Sequence, residues 1–372
     1  MCAQCEIPVF TFILVAMDFF KKVFSWVKLL TFPRPRPNAL EFSALSTLPM
    51  EIILQISRLL PPESAASFSI CCRPVYFALG TQYLEDLRPK EGSTGLHGER
   101  LLKLLERDLP DHIICGICKK LHAINKAHRH LRRNHDYFNH LKCWSKDYES
   151  TNLYVHDEFS SAVFEMTMKR YRQGSDYSDL LDLLSLKTYT IRLRRGYVEQ
   201  RRAAAKVING SLLVRAQKVF MIPAAQPIPF PWDASFIICR DISFWTIKDL
   251  NRYLRHIGVS DWKIQKGSLE RVMRCRYCRS EYQIDFKHFG KRGNAMYVTK
   301  WLDLGQGPLD NNCRSTLNAD NIPRRQIQFD SGSIRAAFEG RWQFDFDSDA
   351  VINSKDRKEL FKKSWYSWPD HL

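Results

Sequence analysis

The sequence predicts an α+β protein in which a small three-helix module precedes a larger domain of helices and mainly antiparallel strands. Three observations carry this. Between residues 45 and 79, apolar side chains recur at helical spacing between prolines. Asn209-Gly210 lies between Val207-Ile208 and Leu212-Leu213-Val214, and both turn positions of such a hairpin want positive φ. Tyr189, Ile191 and Leu193 alternate with Thr190, Arg192 and Arg194, as Tyr282, Ile284 and Phe286 do with Gln283, Asp285 and Lys287, the pattern of half-buried strands.

With 372 residues, 45% of them hydrophobic and 12% aromatic, the chain has the means to bury a small module and a larger domain. Its formal charge of +16 favours acidic partners, although a solvated basic surface accounts for the surplus better than specific nucleic-acid contact. Eleven cysteines, three pairs of them spaced C-x-x-C, fit reduced thiols or metal ligands better than a secreted disulfide framework. The expected location is therefore inside the cell, in cytoplasm or nucleus.

Residues 1 to 40 read as an apolar extension and a linker. Ile7 to Met17 is an unbroken apolar run, too short for the roughly 20 residues a membrane span needs. Asp18 to Leu30 has the make-up of an interfacial helix, with Lys21, Lys22 and Lys28 at headgroup level, so any membrane contact is expected through residues 7 to 30 alone. Pro33, Pro35 and Pro37, alternating with Arg34 and Arg36, form a stiff extended spacer.

The helical module is expected over residues 41 to 88. Pro49 suits the first turn of a helix and Glu51 suits the positive end of its dipole. Ile52, Ile53, Ile56, Leu59 and Leu60 then form one apolar stripe until Pro61 and Pro62 end it. A second helix follows from Glu63 to Ile70, and Pro74 opens a third carrying Val75, Tyr76 and Leu79. So few residues cannot bury enough surface to fold alone, and the module requires a partner surface.

Leu48-Pro49-x-Glu51-Ile52, then Ile56 and Leu60, then Ala66-x-Phe68-Ser69 with Cys72 and Val75-Tyr76, resembles an F-box. The resemblance implies a non-catalytic substrate receptor that binds a Skp-type adaptor and, through it, a cullin-RING ubiquitin ligase. The adaptor contacts it implies are Leu48, Pro49, Ile52, Ile56, Leu60, Phe68 and Val75. From periodicity alone, the same stripe is equally the core of a helical hairpin.

Residues 89 to 372 are expected to form the α+β receptor domain, with helices from Gly98 to Arg107, Ile247 to His256 and Ser354 to Lys363. Here the chain resembles fungal F-box proteins through ordered short stretches. Among them are Arg107-Asp108-Leu109-Pro110, Cys115-x-x-Cys118-x-x-Leu121-His122, Cys275-Arg276-Tyr277-Cys278, Thr299-Lys300-Trp301-Leu302-Asp303-Leu304-Gly305 and Phe329-Asp330-Ser331-Gly332. This resemblance implies a receptor whose target it does not name.

Zinc is the one cofactor the residues suggest. Cys275-x-x-Cys278 before a strand is the pattern of a knuckle that turns two thiolates toward one tetrahedral ion. The family resemblance implies further ligands upstream in a Cys-Pro-His stretch, where this chain reads Cys239-Arg240-Asp241. Asp241 is an oxygen donor in place of an imidazole, so buried free thiols stand as the alternative. Cys115 and Cys118 begin a second set. With His130 and His135 they have the spacing C-x2-C-x11-H-x4-H, but His122 and His128 occupy the places where a finger needs its aromatic and leucine core. A local clip of Cys115, Cys118 and either His122 or Cys143 fits better than the finger, and metal-free thiols fit slightly better than the clip.

Arg192, Arg194, Arg195, Arg201 and Arg202 are opposed locally only by Glu199, and on a sheet they form a candidate patch for an acidic or phosphorylated target. Phosphate-loop, G-x-S-x-G, H-E-x-x-H and G-x-G-x-x-G signatures are lacking, and Gly305-x-Gly307 is too short to count. A receptor that positions its target needs no reactive side chain of its own. The competing class is a zinc-dependent nucleic-acid-binding protein, for which the basic stretch around Cys115 and Cys118 is the relevant feature.

Overall fold

The computed structural model describes residues 44–87, 96–131, 141, 143, 154–192, 197–222, 236–244, 272–308, 310–313, 325–340 and 346–362. The expected helix from Ile247 to His256, the segment 7 to 30, Arg194 and Arg195 lie outside the described residues. The chain divides into two compact units, Met1–Leu105 and Glu106–Leu372.

In the first unit a 3-10 turn, Ala44–Thr47, leads into α1 (Met50–Leu59), α2 (Pro62–Ser69), α3 (Arg73–Leu79) and α4 (Gln82–Asp86). Proline sets the punctuation. Pro49 stands at the N-cap of α1, Pro61 is extended, and Pro62 occupies the first position of α2, where its missing N–H is no loss. Ile53, Val75 and Leu79 meet in the module's core, flanked by Leu48, Leu54, Phe68, Cys72 and Tyr83. The buried side of α1 therefore runs through Ile53 and Ser57. Ser57 Oγ donates to the Leu54 carbonyl at 2.8 Å and lies 2.7 Å from Tyr83 Oη, so α4, which sequence reasoning missed, is tied to α1 by a polar contact. Helix α5 (Leu96–Asp108) follows, matching the expectation for Gly98 to Arg107.

The second unit is built on a six-stranded antiparallel sheet of order β3-β4-β5-β10-β9-β8. Its strands are β3 (Leu186–Arg192), β4 (Val198–Ile208), β5 (Ser211–Ile222), β8 (Met273–Arg274), β9 (Ser280–His288) and β10 (Asn294–Asp303). The Asn209-Gly210 turn forms as expected. Both residues have positive φ, 50° and 77°, and Ile208 pairs with Ser211. Two small hairpins accompany the sheet: β1 (His112–Ile114) with β2 (Leu121–Ala123), and β6 (Phe236–Cys239) with β7 (Ile242–Phe244).

Both sheet faces are covered. On one, Ala205, Leu212, Val214 and Leu302 pack with Val163, Phe164 and Met166 of α6 (Ser161–Arg172) and Leu180 and Leu184 of α7 (Ser178–Leu184). On the other, Leu213 and Trp301 meet Ile334 and Phe338 of α8 (Ser333–Glu339), while Val198, Val219 and Tyr297 meet Ile352 and Leu360, the latter from α9 (Ser354–Leu360). The α+β class with a helical N-terminal module is the observed architecture.

Gly305 and Gly307 are packing positions. A Cβ on Gly305, which has φ +74°, would stand 2.4 Å from Asp310 Cγ, and one on Gly307 would stand 2.9 Å from Glu165 Oε2.

Candidate functional site

The helical module carries an apolar surface. Met50, Ile52, Leu59 and Phe77 are 45%, 37%, 86% and 69% exposed, and among the described residues they are the exposed large hydrophobics. Single exposed apolar residues are ordinary, but here all four fall in one stretch of 28 residues. Arg73 lies over the Phe77 ring at 5.4 Å. Of the contacts expected from the resemblance, Pro49 and Ile52 are exposed, and Leu48, Ile56, Leu60 and Phe68 are half-buried. Val75 is corrected: at 1% exposure it belongs to the module's own core with Ile53 and Leu79 and has no surface to offer. Met50, Leu59 and Phe77 were not singled out in their place. The signal was available, since Leu59 lies six residues after Ile53 and so falls off the face that Ile53 and Ser57 bury.

Two groups of metal-ligand side chains converge in the second unit. In the first, β1 runs into a tight turn that holds Cys115 and Cys118, and β2 brings His122 back alongside. The Cys115 N–H donates to the Lys120 carbonyl at 2.9 Å and the Lys119 N–H to the Cys115 carbonyl at 3.0 Å, which bends Lys119 to φ 51°. Cys143, 21 residues beyond His122 in the sequence, supplies a further thiol. One donor atom from each of Cys115, Cys118, His122 and Cys143 lies within 4.8 Å of all the others. His122 Nε2 is 3.1 Å from Cys118 Sγ and 3.7 Å from Cys143 Sγ. Hydrogen bonds from the thiols of Cys118 and Cys143 push the Cys115 thiol well down. Burial opposes a charged His122, but its hydrogen bonds to Cys115 and Cys118 outweigh burial and push it up to about 9.

The finger spacing with His130, which fitted less well than the local clip, does not form a donor group. His130 is buried with its ring edge-on to His122 at 4.6 Å between centroids, and burial pushes it down to about 4. It orients His122 and is not a member of the donor group; His135 lies outside the described residues.

The second group is Cys239 at the end of β6, Asp241 in the β6–β7 turn, and Cys275 and Cys278 between β8 and β9, again with donor atoms within 4.8 Å of one another. All three cysteines are buried. The Cys275 N–H donates to the Ser280 carbonyl at 2.9 Å, the Tyr277 N–H reaches Cys275 Sγ at 3.4 Å, and Cys278 Sγ lies 3.1 Å from Ser280 Oγ. Hydrogen bonds from Cys239 and Cys278 push Cys275 down to about 3, while the bond it shares with Cys275 pushes Cys239 up to about 12. The upstream half that the sequence spreads over 36 residues is brought to the knuckle by the β6–β7 hairpin.

The candidate arginine patch does not converge among its described members. Arg201 projects from the face bearing Lys218 and is paired with Glu199 and Asp157. Arg192 and Arg202 project from the opposite face, where Arg192 donates to the Lys362 carbonyl at 2.9 Å and Arg202 to the Val351 carbonyl. Alternation along paired strands sends neighbours such as Arg201 and Arg202 to opposite faces.

A family model for the F-box domain matches residues 45–84, the stretch from the first 3-10 turn to α4. The chain is an F-box domain-containing protein. That domain supports an adaptor role in ubiquitin ligases in general, and it implies a Skp-type adaptor as partner and a cullin complex beyond it. No curated protein and no solved structure matches the chain. Among the described residues, no helix is long and apolar enough to cross a membrane.

Proposed function

We propose that this chain is the substrate receptor of a cullin-RING ubiquitin ligase, a non-catalytic subunit that holds a target protein through residues beyond the F-box while the F-box docks on a Skp-type adaptor. The observation that supports it is the segregation of exposed large hydrophobics, Met50, Ile52, Leu59 and Phe77, onto the F-box. Burying a largely exposed leucine or phenylalanine side chain contributes about 1.5–3 kcal/mol, so Leu59 and Phe77 have the most to gain on docking. Pro49 and the half-buried Leu48, Ile56, Leu60 and Phe68 border that surface in the sequence of the helices. Catalysis falls to the ligase subunits that carry ubiquitin, and this chain contributes proximity.

The experiment is co-elution of the full chain with a Skp-type adaptor on size exclusion. Leu59→Asp with Phe77→Asp should abolish the complex and leave the circular dichroism and thermal midpoint of the free chain unchanged, because these side chains are 86% and 69% exposed. Undiminished adaptor binding by that double variant would refute the docking surface, and a parent chain that never co-elutes would refute the receptor reading itself.

A further inference from the structure

We propose that Cys115, Cys118, His122 and Cys143 together bind one zinc ion as a closed structural site that fastens Cys143 to the β1–β2 hairpin. Nothing in the F-box reading requires such a site; it rests on the convergence of these four side chains.

The geometry matches the ion's demands. Zinc sits about 2.3 Å from thiolate sulfur and about 2.0–2.1 Å from imidazole nitrogen in a tetrahedron, which sets sulfur-to-nitrogen edges of about 3.5 Å and sulfur-to-sulfur edges of about 3.8 Å. The two sulfur-to-nitrogen separations here, 3.1 and 3.7 Å, bracket that edge, and every pair of donor atoms falls within 4.8 Å. Three soft sulfurs with one imidazole suit zinc over magnesium, calcium or manganese, which take oxygen. With four protein donors the coordination sphere is complete, and Cys115 and Cys143 are each 3% exposed, so no position remains for a substrate water.

Simpler accounts explain less. A Cys115–Cys118 disulfide would leave Cys143 and His122 aimed at a closed bond, and all of the described cysteines are free. Hydrogen bonds among thiols are weak, and they do not account for an imidazole nitrogen turned onto two sulfurs. The surrounding structure also needs a fastening. Strands β1 and β2 are three residues each, too short to hold a register by pairing alone, yet Ile113, the middle residue of β1, is fully buried in the main core. The ion would join the turn after β1, the middle of β2 and residue 143 at one point. His130, edge-on to His122, supplies the outer contact that fixes the ring.

Loading balances simply. Zn2+ displaces the protons of three thiols, and of the imidazole where it is charged, leaving a centre of net charge −1 beside Lys119 and Lys120.

The test is the zinc content of the full chain, purified without added metal or chelator, by elemental mass spectrometry. Cys118→Ser should hold one equivalent fewer than the parent, whatever the cysteines at 239, 275 and 278 retain, and Cys143→Ser should lose the same equivalent. Equal zinc in parent and both variants would overturn the proposal. Should the serine variants fail to fold, His122→Cys decides, because it keeps four donors. After cobalt exchange its thiolate-to-cobalt absorption should rise by about one third over the parent's share from this site, reflecting four sulfurs in place of three. A cobalt spectrum identical to the parent's would refute His122 as a ligand and with it the site.

Discussion

Glu281 on β9 caps the start of α8 by way of Arg335: its Oε2 accepts from the Arg335 N–H at 2.8 Å while Oε1 accepts from the Gly332 N–H at 2.7 Å. The carboxylate reaches up from the sheet into a helix terminus where backbone donors have no partner within the helix. Burial is severe enough to push the Glu281 carboxyl above its ordinary range in spite of these bonds. Glu281→Ala strands two buried N–H groups, each of which costs about 1–3 kcal/mol, and the expected loss is about 2–4 kcal/mol in urea unfolding of the second unit. A change below about 0.5 kcal/mol would mean that water replaces the carboxylate without loss.

Asp157 makes the complementary case for pH. It accepts from Tyr189 Oη and from Arg201, which also binds Glu199. Burial works against the Asp157 charge, but Arg201 more than offsets it and holds the carboxyl below its ordinary 3.8. A depressed folded-state value means that the contribution is fully present above the unfolded value and is lost as pH falls through the folded one. Asp157→Asn should therefore lower stability by about 1–2 kcal/mol near neutral pH, and the gap to the parent should close below about pH 3.8. A gap that stays constant into acid would show that the charge on Asp157 contributes nothing.

These buried polar contacts mark where the sequence stops being readable. The F-box was legible because its prolines cut the chain into helices of defined length and its apolar residues repeat at helical spacing. The hairpin at Asn209-Gly210 was legible because few residue pairs tolerate positive φ twice. Helix α6 was not. Seven consecutive or near-consecutive residues from Ala162 to Lys169 are buried, so no polar stripe betrays the helical period. Strand β10 escaped for a related reason, since it lies between β5 and β9 with both faces covered and nine of its ten residues buried, Thr299 and Lys300 among them. The metal-ligand groups were half legible. C-x-x-C announces a knuckle, but only the fold brings His122 and Cys143 in together and closes the distance from Cys239 to Cys275.

The hairpin itself can be tested at Gly210. Its φ of +77° is a region that residues with a Cβ seldom adopt, and a Cβ there would meet only Tyr171 Cε1 at 3.9 Å. The penalty for Gly210→Val is thus backbone strain rather than collision, about 1–2 kcal/mol. Asn209→Gly, in which the residue gains freedom at a position already at φ 50°, should change stability by less than about 0.5 kcal/mol. Equal losses for the two variants would mean that the turn does not hold its two positive φ values in solution.

Lys169 governs the approach to the first cysteine knuckle. Its Nζ, buried on α6, donates to the carbonyls of Glu106 at 2.5 Å, Leu109 at 3.0 Å and His112 at 2.6 Å, using all three ammonium protons on backbone acceptors that turn the chain into β1. Burial pushes the lysine's pKa down, yet an amine has fewer protons to give to three carbonyls than an ammonium has, so the charged form is the one this geometry employs. Lys169→Met keeps the length of the stem and removes all three donors, leaving three inward carbonyls to find water. We expect a loss of about 2–4 kcal/mol and faster amide exchange across residues 112 to 114, since three carbonyls around the start of β1 converge on this one side chain. Because β1 delivers Cys115 to its partners, the same variant should also speed the reaction of Cys115 with a thiol reagent. Unchanged exchange at Ile113 and Ile114 would show that the strand is held without the Lys169 ammonium, by β2 and by the Glu106 carboxylate that accepts from the Ile114 N–H.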